Sequence, residues 1–364
     1  MDGSQSAAAV ALVESLLAFI AQDGCSDQEF DAMALRLFAH QHARNQPFWR
    51  FCQGRGVAPR QVRSWRDIPA VPINGFKDLA LSCVPCADCE RVFMTSGTTR
   101  GEVRGRNWHP DLAVWNASFR GNFARRFMQG AQRIRMGILF PDEAAMPNSS
   151  LAHYLQHALQ EFGAAGSAHY VGANGIDVAG VAAALSRAER DGEPFALLGA
   201  SYSFVHLVDA MQAAGQRFRL PPGSRILDTG GYKQQSRDLD FDEFYNALAG
   251  AFGVPRERCI NMYGMTELSS QFYDDGNAVV PSVKSGPHWI RSRLVDPLTG
   301  VEVPRGERGI LVHCDLANYN SVTTILTEDV GVERDGGFLL LGRAQGAQAR
   351  GCSLAVEEFL KAAA

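Results

Sequence analysis

The chain has 364 residues, 46% of them hydrophobic and 20% charged, which suits a large buried core and excludes intrinsic disorder. Its 35 Lys+Arg against 39 Asp+Glu leave a net charge of −4, a balance that argues against a general nucleic-acid or anionic-membrane binder. Eight cysteines are too sparse for a disulfide scaffold, and the first basic residue is Arg36, so the expectation is a soluble, reduced, cytoplasmic protein without a secretory leader.

Residues 7–22 and 27–43 read as amphipathic helices, with Leu12, Leu16, Leu17 and Ile20 at helical spacing in the first. Glu14 and Ser15 interrupt its apolar run, which is too short to span a bilayer. Residues 64–90 look irregular, punctuated by Pro69, Pro72 and Pro85. In that stretch Cys83, Cys86 and Cys89 have a spacing able to ligate zinc or an iron–sulfur cluster, but no fourth ligand lies near and His109 is a distant option. An alternation begins at residue 135. Apolar runs at 135–140, 195–199, 224–228, 259–263, 309–314 and 337–341 read as buried strands. Helical patterns fall between several of them. In 150–162, Leu151, Tyr154, Leu155, Ala158, Leu159 and Phe162 share a face, and in 241–252 Phe241, Phe244, Tyr245, Leu248 and Phe252 do the same. Asp240 and Glu243 form a capping pair for the second, while His153 and His157 fall off the apolar face of the first and read as solvated. The fold class is therefore α/β, a mostly parallel sheet covered by helices. Beyond residue 295, short strands with Gly turns read as an antiparallel or barrel-like part. No domain boundary is evident before residue 343: residues 1–342 read as one domain, helices 1–60 included, and 343–364 as a short tail.

Four short segments carry candidate chemistry. Thr95-Ser96-Gly97-Thr98-Thr99-Arg100-Gly101 follows an apolar run and offers hydroxyls and backbone N–H groups that can converge on phosphate oxygens, with Arg104 and Arg106 close by. It is not a Walker A loop, because the Gly-Lys-Ser/Thr ending is missing. Asn261-Met262-Tyr263-Gly264-Met265-Thr266-Glu267 ends a strand, where open parallel sheets bind ligands, and sets a hydroxyl beside a carboxylate that can hold a phosphoryl oxygen and Mg²⁺ together. Asp228-Thr229-Gly230-Gly231-Tyr232-Lys233 lets a flat ligand approach the backbone, with Tyr232 to stack on a base. Leu326-Thr327-Glu328-Asp329 and Leu341-Gly342-Arg343 supply a carboxylate and a guanidinium that can clasp ribose hydroxyls or simply pair at the surface. Each segment is also readable as an ordinary polar turn. The chain contains four lysines, Lys77, Lys233, Lys284 and Lys361.

In this order and spacing, together with Pro147-Asn148-Ser149-Ser150-Leu151 and Arg350-Gly351-Cys352-Ser353-Leu354, the segments resemble the adenylate-forming (acyl/aryl-AMP ligase) superfamily from about residue 60 onward. Within it they resemble the acyl-protein synthetases of the bacterial bioluminescence fatty-acid reductase complex. The resemblance implies an adenylate-forming large-domain fold, with ATP and Mg²⁺ as cofactors. It implies that Thr95, Ser96, Gly97, Thr98, Thr99 and Gly101, with Arg104, take the ATP phosphates. Gly230, Gly231 and Tyr232 would lie along the adenine, Tyr263 and Gly264 would face the nucleotide, Thr266 the α-phosphate and Glu267 the Mg²⁺, while Asp329 and Arg343 would take the ribose. Asn148, Ser149, Ser201, Tyr202 and Phe204 fall in stretches that line the acyl pocket in related enzymes; Tyr202, Phe204 and His206 are bulky and suggest a short or aromatic acid. Cys352 corresponds to the region of an acyl-accepting cysteine, with Arg350 beside it to favour the thiolate.

Two departures from the superfamily pattern stand out. The phosphate loop continues Arg100-Gly101-Glu102-Val103-Arg104-Gly105 in place of the usual Gly-x-Pro-Lys-Gly, although an Arg can still hold a phosphate. Only 364 − 343 = 21 residues follow Arg343, so the resemblance implies that the mobile C-terminal domain with its lysine is lacking; Lys233, then Lys361, are the candidate substitutes. The reading is ATP-dependent activation of a carboxylic acid as acyl-AMP, then acyl transfer to a thiol through Cys352, with a reductase or carrier protein as partner and a homo- or hetero-oligomer in view. The rivals are direct transfer to CoA, a carrier protein or an amine, and a nucleotide-binding protein without turnover.

Overall fold

The computed structural model describes residues 3–96, 103–230, 240–344 and 360–361. These fall into two compact units whose segments interleave along the chain. One takes the described residues of Met1–Gly121, Met265–Ser270 and Gly286–Ala364, the other those of Asn122–Gly264 and Gln271–Ser285.

The first unit opens with helices Gly3–Ile20, Asp27–Arg44 and Gln46–Gly54. A capping box starts the second of these: the Ser26 hydroxyl accepts from the Glu29 amide, and the Glu29 carboxylate accepts from the Ser26 amide. Asn45 then caps the third helix by accepting from the Phe48 amide. Phe30, Met33, Ala34, Leu37 and Phe38 form the buried stripe of the second helix. Gln41 and Asn45, also buried, reach out of the stripe: their side-chain amides donate to the carbonyls of Asn318 (2.8 Å) and Ser321 (3.0 Å) and so pin the loop after strand Arg308–Asp315. That strand belongs to an antiparallel run in which Ile290–Val295, Arg308–Asp315, Thr324–Arg334 and Gly337–Arg343 are successive neighbours, as the Gly-turn pattern suggested. Val71–Pro72 joins it in parallel beside Ile325–Leu326. A separate hairpin, Arg91–Met94 against Arg106–His109, brings Met94 opposite Arg106 and closes the neck of the loop between them.

The second unit is built on a mostly parallel sheet. Its strand order is Phe272–Tyr273, Cys259–Tyr263, Arg225–Thr229, Phe195–Ala200, Arg135–Leu139 and Ala168–His169, antiparallel only at the first pairing. Every residue of Phe195–Ala200 and Arg225–Thr229 is buried, the signature of strands covered on both faces. Helices Val178–Asp191, Ser201–Ala213 and Phe241–Phe252 contribute Leu185, Phe204, Leu207, Phe244, Leu248 and Phe252 to one core with Leu197 and Ile226 of the sheet. Two expectations need correction. Phe241 is the first residue of its helix, directly after the Asp240 cap, and is 52% exposed instead of joining the apolar face. His153 is buried, not solvated: its Nδ1 lies 2.8 Å from the Glu143 carboxylate, and its ring stacks on His157.

Gly199 marks the closest approach inside the parallel sheet. It pairs with Leu139, and a Cβ there would lie 2.7 Å from Leu139 Cβ and 2.8 Å from its carbonyl oxygen. Neither is the free end of a flexible side chain, so the strands must separate. Gly199→Ala is expected to destabilise the protein by about 1–3 kcal/mol, read as a lower midpoint in thermal or urea unfolding.

Candidate active site

In the first unit the two ends of the hydroxyl-rich loop are tied together. The Thr95 amide donates to the Gly105 carbonyl (3.0 Å), and the Gly105 amide donates to Thr95 Oγ1 (2.9 Å). A Cβ on Gly105 would meet Thr95 Cγ2 at 3.1 Å and Glu267 Oε1 at 3.2 Å, so glycine lets the Glu267 carboxylate pack against this neck. Thr95, Gly105 and Glu267 thus come together although 162 positions separate Gly105 from Glu267 (267 − 105). The turn carrying Glu267 is fixed through its backbone. Asn107 Nδ2 donates to the Thr266 carbonyl (3.1 Å), and Asn318 Nδ2 donates to the Glu267 carbonyl (2.6 Å). Just beyond, buried Asp315 accepts from the amides of Ser269 (2.9 Å) and Ser270 (2.8 Å) and from Ser270 Oγ (2.7 Å).

Glu267 itself is only 6% exposed. Burial pushes its carboxyl up to about 7, opposed by its own amide and by the charges of Arg343 and Lys77 and assisted by Asp329. No ion pair holds it among the described residues. A buried carboxylate that meets Thr95 at the Gly105 neck offers hard oxygen of the kind Mg²⁺ takes.

The register of the antiparallel sheet sets Asp329 opposite Arg343. Arg343 Nε lies 3.6 Å from Asp329 Oδ1, but its shorter pairing is Nη1 to Glu328 Oε2 at 3.0 Å. Glu328 also accepts from Asn74 Nδ2 at 2.6 Å. The sequence reading quoted Glu328 within its motif yet gave it no part; Asn74, Asn107, Asp315 and Asn318 were missed outright, since they act through partners far away in sequence.

In the second unit Gly230 has φ +78°, a left-handed conformation suited to glycine. Ser201 supports it from below, its hydroxyl 2.8 Å from Asp228 Oδ2, 3.1 Å from the Thr229 carbonyl and 3.2 Å from the Gly230 carbonyl. Asp228 is buried and accepts also from Asn261 Nδ2 (2.8 Å) and the Tyr245 hydroxyl (3.0 Å); burial still pushes its carboxyl up to about 6. Tyr263 is buried with its ring 5.8 Å from Phe272, and Gly264, exposed, ends the strand.

Of the remaining expected site residues, Ser96 and Arg104 are exposed. Asn148 is exposed and Ser149 caps helix Ser150–Phe162 by accepting from the Ala152 amide. Tyr202 is half-buried, its ring edge-on to His206, whereas Phe204 is fully buried in the helix–sheet core. Gly97, Thr98, Thr99, Gly101, Gly231, Tyr232, Lys233 and Cys352 lie outside the described residues. The Cys83 thiol, kept protonated by burial, donates to the Tyr319 carbonyl, and that of Cys89 donates to the Pro85 carbonyl. Among the described residues no group of three His, Cys, Asp or Glu side chains is placed to hold a metal ion. Nor is any described helix long and apolar enough to cross a membrane.

The family model of the acyl-protein synthetase LuxE matches residues 162–361, more than half of the chain. The chain belongs to the LuxE acyl-protein synthetase family. Two long-chain-fatty-acid–luciferin-component ligases are similar to it, each 24% identical. That of Vibrio harveyi aligns over 303 residues, 82% of this chain and 77% of the relative; that of Aliivibrio fischeri over 315 residues, 84% and 79%. Among solved structures, 2-hydroxyisobutyryl-CoA ligase in the postadenylation state with 2-HIB-AMP is similar at a TM-score of 0.63 and 15% identity, covering 88% of this chain and 69% of the other. ATP-bound MatB from Rhodopseudomonas palustris gives 0.51 and 16%, and this chain spans 49% of its length. The adenylate-forming fold expected from the motifs is the fold found. The LuxE acyl-protein synthetase is an acyl-activating ligase, and neither rival reading is favoured.

The Glu267 carboxyl yields a stability prediction with a definite sign. Its folded value of about 7 exceeds the ordinary 4.5, so the folded state holds the proton more tightly than the unfolded one. The penalty for ionising it is absent below pH 4.5, grows between 4.5 and 7 and is complete above. Glu267→Gln is therefore expected to raise stability at pH 8 by about 3 kcal/mol or less in metal-chelating buffer, and to leave it nearly unchanged at pH 4.5. Urea unfolding at both pH values checks this.

Proposed function

We propose that Thr95, Thr266 and Glu267, with Glu328, Asp329 and Arg343, serve ATP-dependent activation of a carboxylic acid, and that Cys352 then carries the acyl group. The observation that carries this reading is the buried Glu267 carboxylate packed on the Thr95–Gly105 neck, with no ion-pair partner among the described residues. Such a group is costly to ionise unless a cation and its anionic ligand arrive. Mg²⁺ would be held by Glu267 with the Thr95 and Thr266 hydroxyls at hand, and it would shield phosphate charge. The loop from Thr95 to Gly105 offers hydroxyls and amides to the phosphates. Asp329 and Glu328 can accept from ribose hydroxyls while Arg343 keeps both oriented.

In the first half-reaction a substrate carboxylate oxygen attacks the α-phosphorus of ATP. The bond to the bridging oxygen breaks, and pyrophosphate leaves with the electron pair. The protein's part is positioning and charge neutralisation. In the second, the Cys352 thiolate attacks the acyl carbon, AMP leaves and a thioester remains. A thiol of a partner reductase or carrier protein then takes the acyl group by the same exchange. Both curated relatives are named for long-chain fatty acids, which supports that substrate class. The bulk of Phe204 gives no support to a shorter acid, because the side chain is spent in the core.

A pyrophosphate-release screen over short, aromatic and long-chain acids tests the first half-reaction, with release expected for the long-chain acids and lost in Glu267→Gln. For the second, Cys352→Ser is expected to keep pyrophosphate exchange and to lose the hydroxylamine-labile acyl adduct seen by intact-protein mass spectrometry. Normal acyl transfer by that variant would remove Cys352 from the route.

A further inference from the structure

We propose that Lys77 supplies positive charge to the triphosphate during adenylation, an assignment that rests on the adenylating function proposed above. Lys77 lies in the short helix Gly75–Asp78, outside every motif of the site. Two strands of the cradle hold it in place. Val71–Pro72 pairs with Ile325–Leu326, the Ile73 amide donates to the Leu326 carbonyl (3.0 Å), and Asn74 bonds Glu328. These contacts dock the helix against the strand that carries Glu328 and Asp329. On the other side Arg106, directly after Gly105, donates through Nη2 to the Lys77 carbonyl in a long hydrogen bond of 3.5 Å. The helix is thus tied both to the neck of the phosphate loop and to the strand of the ribose carboxylates.

The side chain is half-buried, and among the described residues its ammonium has no hydrogen-bond or ion-pair partner. It is close enough to act electrostatically on Glu267. Two other cations of the described residues are committed. Lys284 is buried in an ion pair with Asp274 (2.5 Å) and also donates to the Asn261 carbonyl (3.2 Å). Arg343 is held by Glu328 and Asp329. A half-buried ammonium within electrostatic range of a buried carboxylate, neither of them ion-paired among the described residues, suits a ligand that carries both a divalent cation and excess negative charge. Magnesium-bound triphosphate is such a ligand.

The experiment measures both half-reactions in Lys77→Ala and Lys77→Arg, together with thermal unfolding. ATP–pyrophosphate exchange at saturating acid reads the first, and labelling of the protein by synthetic acyl-adenylate reads the second. Lys77→Ala is expected to cut the exchange kcat by ~100-fold while acyl transfer from the preformed adenylate stays within about threefold, and Lys77→Arg to recover most of the exchange. Exchange within about threefold of the parent in Lys77→Ala overturns the assignment, as does an equal fall in both half-reactions without recovery by Arg. A parent that exchanges pyrophosphate with no acid overturns the proposed function and this assignment with it.

Discussion

The candidate site depends on a fully buried carboxylate. Asp315 closes strand Arg308–Asp315 inside the first unit and accepts from three groups of the segment Ser269–Ser270, and from the Ala317 amide at 3.0 Å. Four donors on one carboxylate leave that segment a single geometry. Asn318, the residue directly after Ala317, donates to the Glu267 carbonyl and accepts from Ser269 Oγ at 2.6 Å. Gln41 of the second helix donates to the Asn318 carbonyl in turn. The position of Glu267 therefore traces back, through backbone carbonyls and buried amides, to helix Asp27–Arg44. A buried carboxyl raised to about 7 needs such a support, because the folded chain must carry its desolvation cost in the ligand-free state.

The second unit meets the same demand with a different device. There the strand end at Thr229 must turn sharply through Gly230, and the turn is held from inside the sheet. Thr229 Oγ1 donates to the Met262 carbonyl at 2.9 Å, which ties adjacent strand ends, while Ser201, first residue of its helix, reaches the two carbonyls of the turn. Asp228 orients Ser201 and is itself held by Asn261 and Tyr245. In both units, residues that sit where ligand contacts were expected are held through their backbone carbonyls by buried polar side chains.

How far the sequence could be read follows from the range of the forces involved. Strands Arg135–Leu139 and Cys259–Tyr263 and helices Ser150–Phe162 and Phe241–Phe252 were legible almost to the residue, because apolar periodicity and caps are local signals. Phe241 misled because periodicity does not register that the first turn of a helix can project past the core. The motifs marked Thr95, Glu267, Asp329 and Arg343, and resemblance gave them roles. The division into two interleaved units was not legible, since the crossings at Gly121, Gly264, Ser270 and Ser285 carry no shift in composition. Nor were Asn74, Asn107 and Asn318. They donate to a carbonyl or carboxylate 254, 159 and 51 positions away, and an asparagine in a loop looks the same whether or not it makes such a bond.

Three buried carboxyls separate support from function. Burial raises all of them, Asp228 and Asp315 to about 6 and Glu267 to about 7. Asp228 accepts from Ser201, Asn261 and Tyr245, and Asp315 from four donors, so their desolvation is offset within the fold. Glu267 has its own amide and two cations acting from a distance, Arg343 and Lys77. Burial alone would mark the three as equivalents. What distinguishes Glu267 is the bonding it lacks among the described residues, and the fold maintains that deficit with a glycine at 105 that lets the carboxylate come close and two asparagines that fix the backbone of Thr266 and Glu267. A chain selected only for stability would have no reason to keep an ionisable group there, since glutamine fits the same space without the charge. The deficit is accounted for once a cation and a polyanion are admitted to the same place.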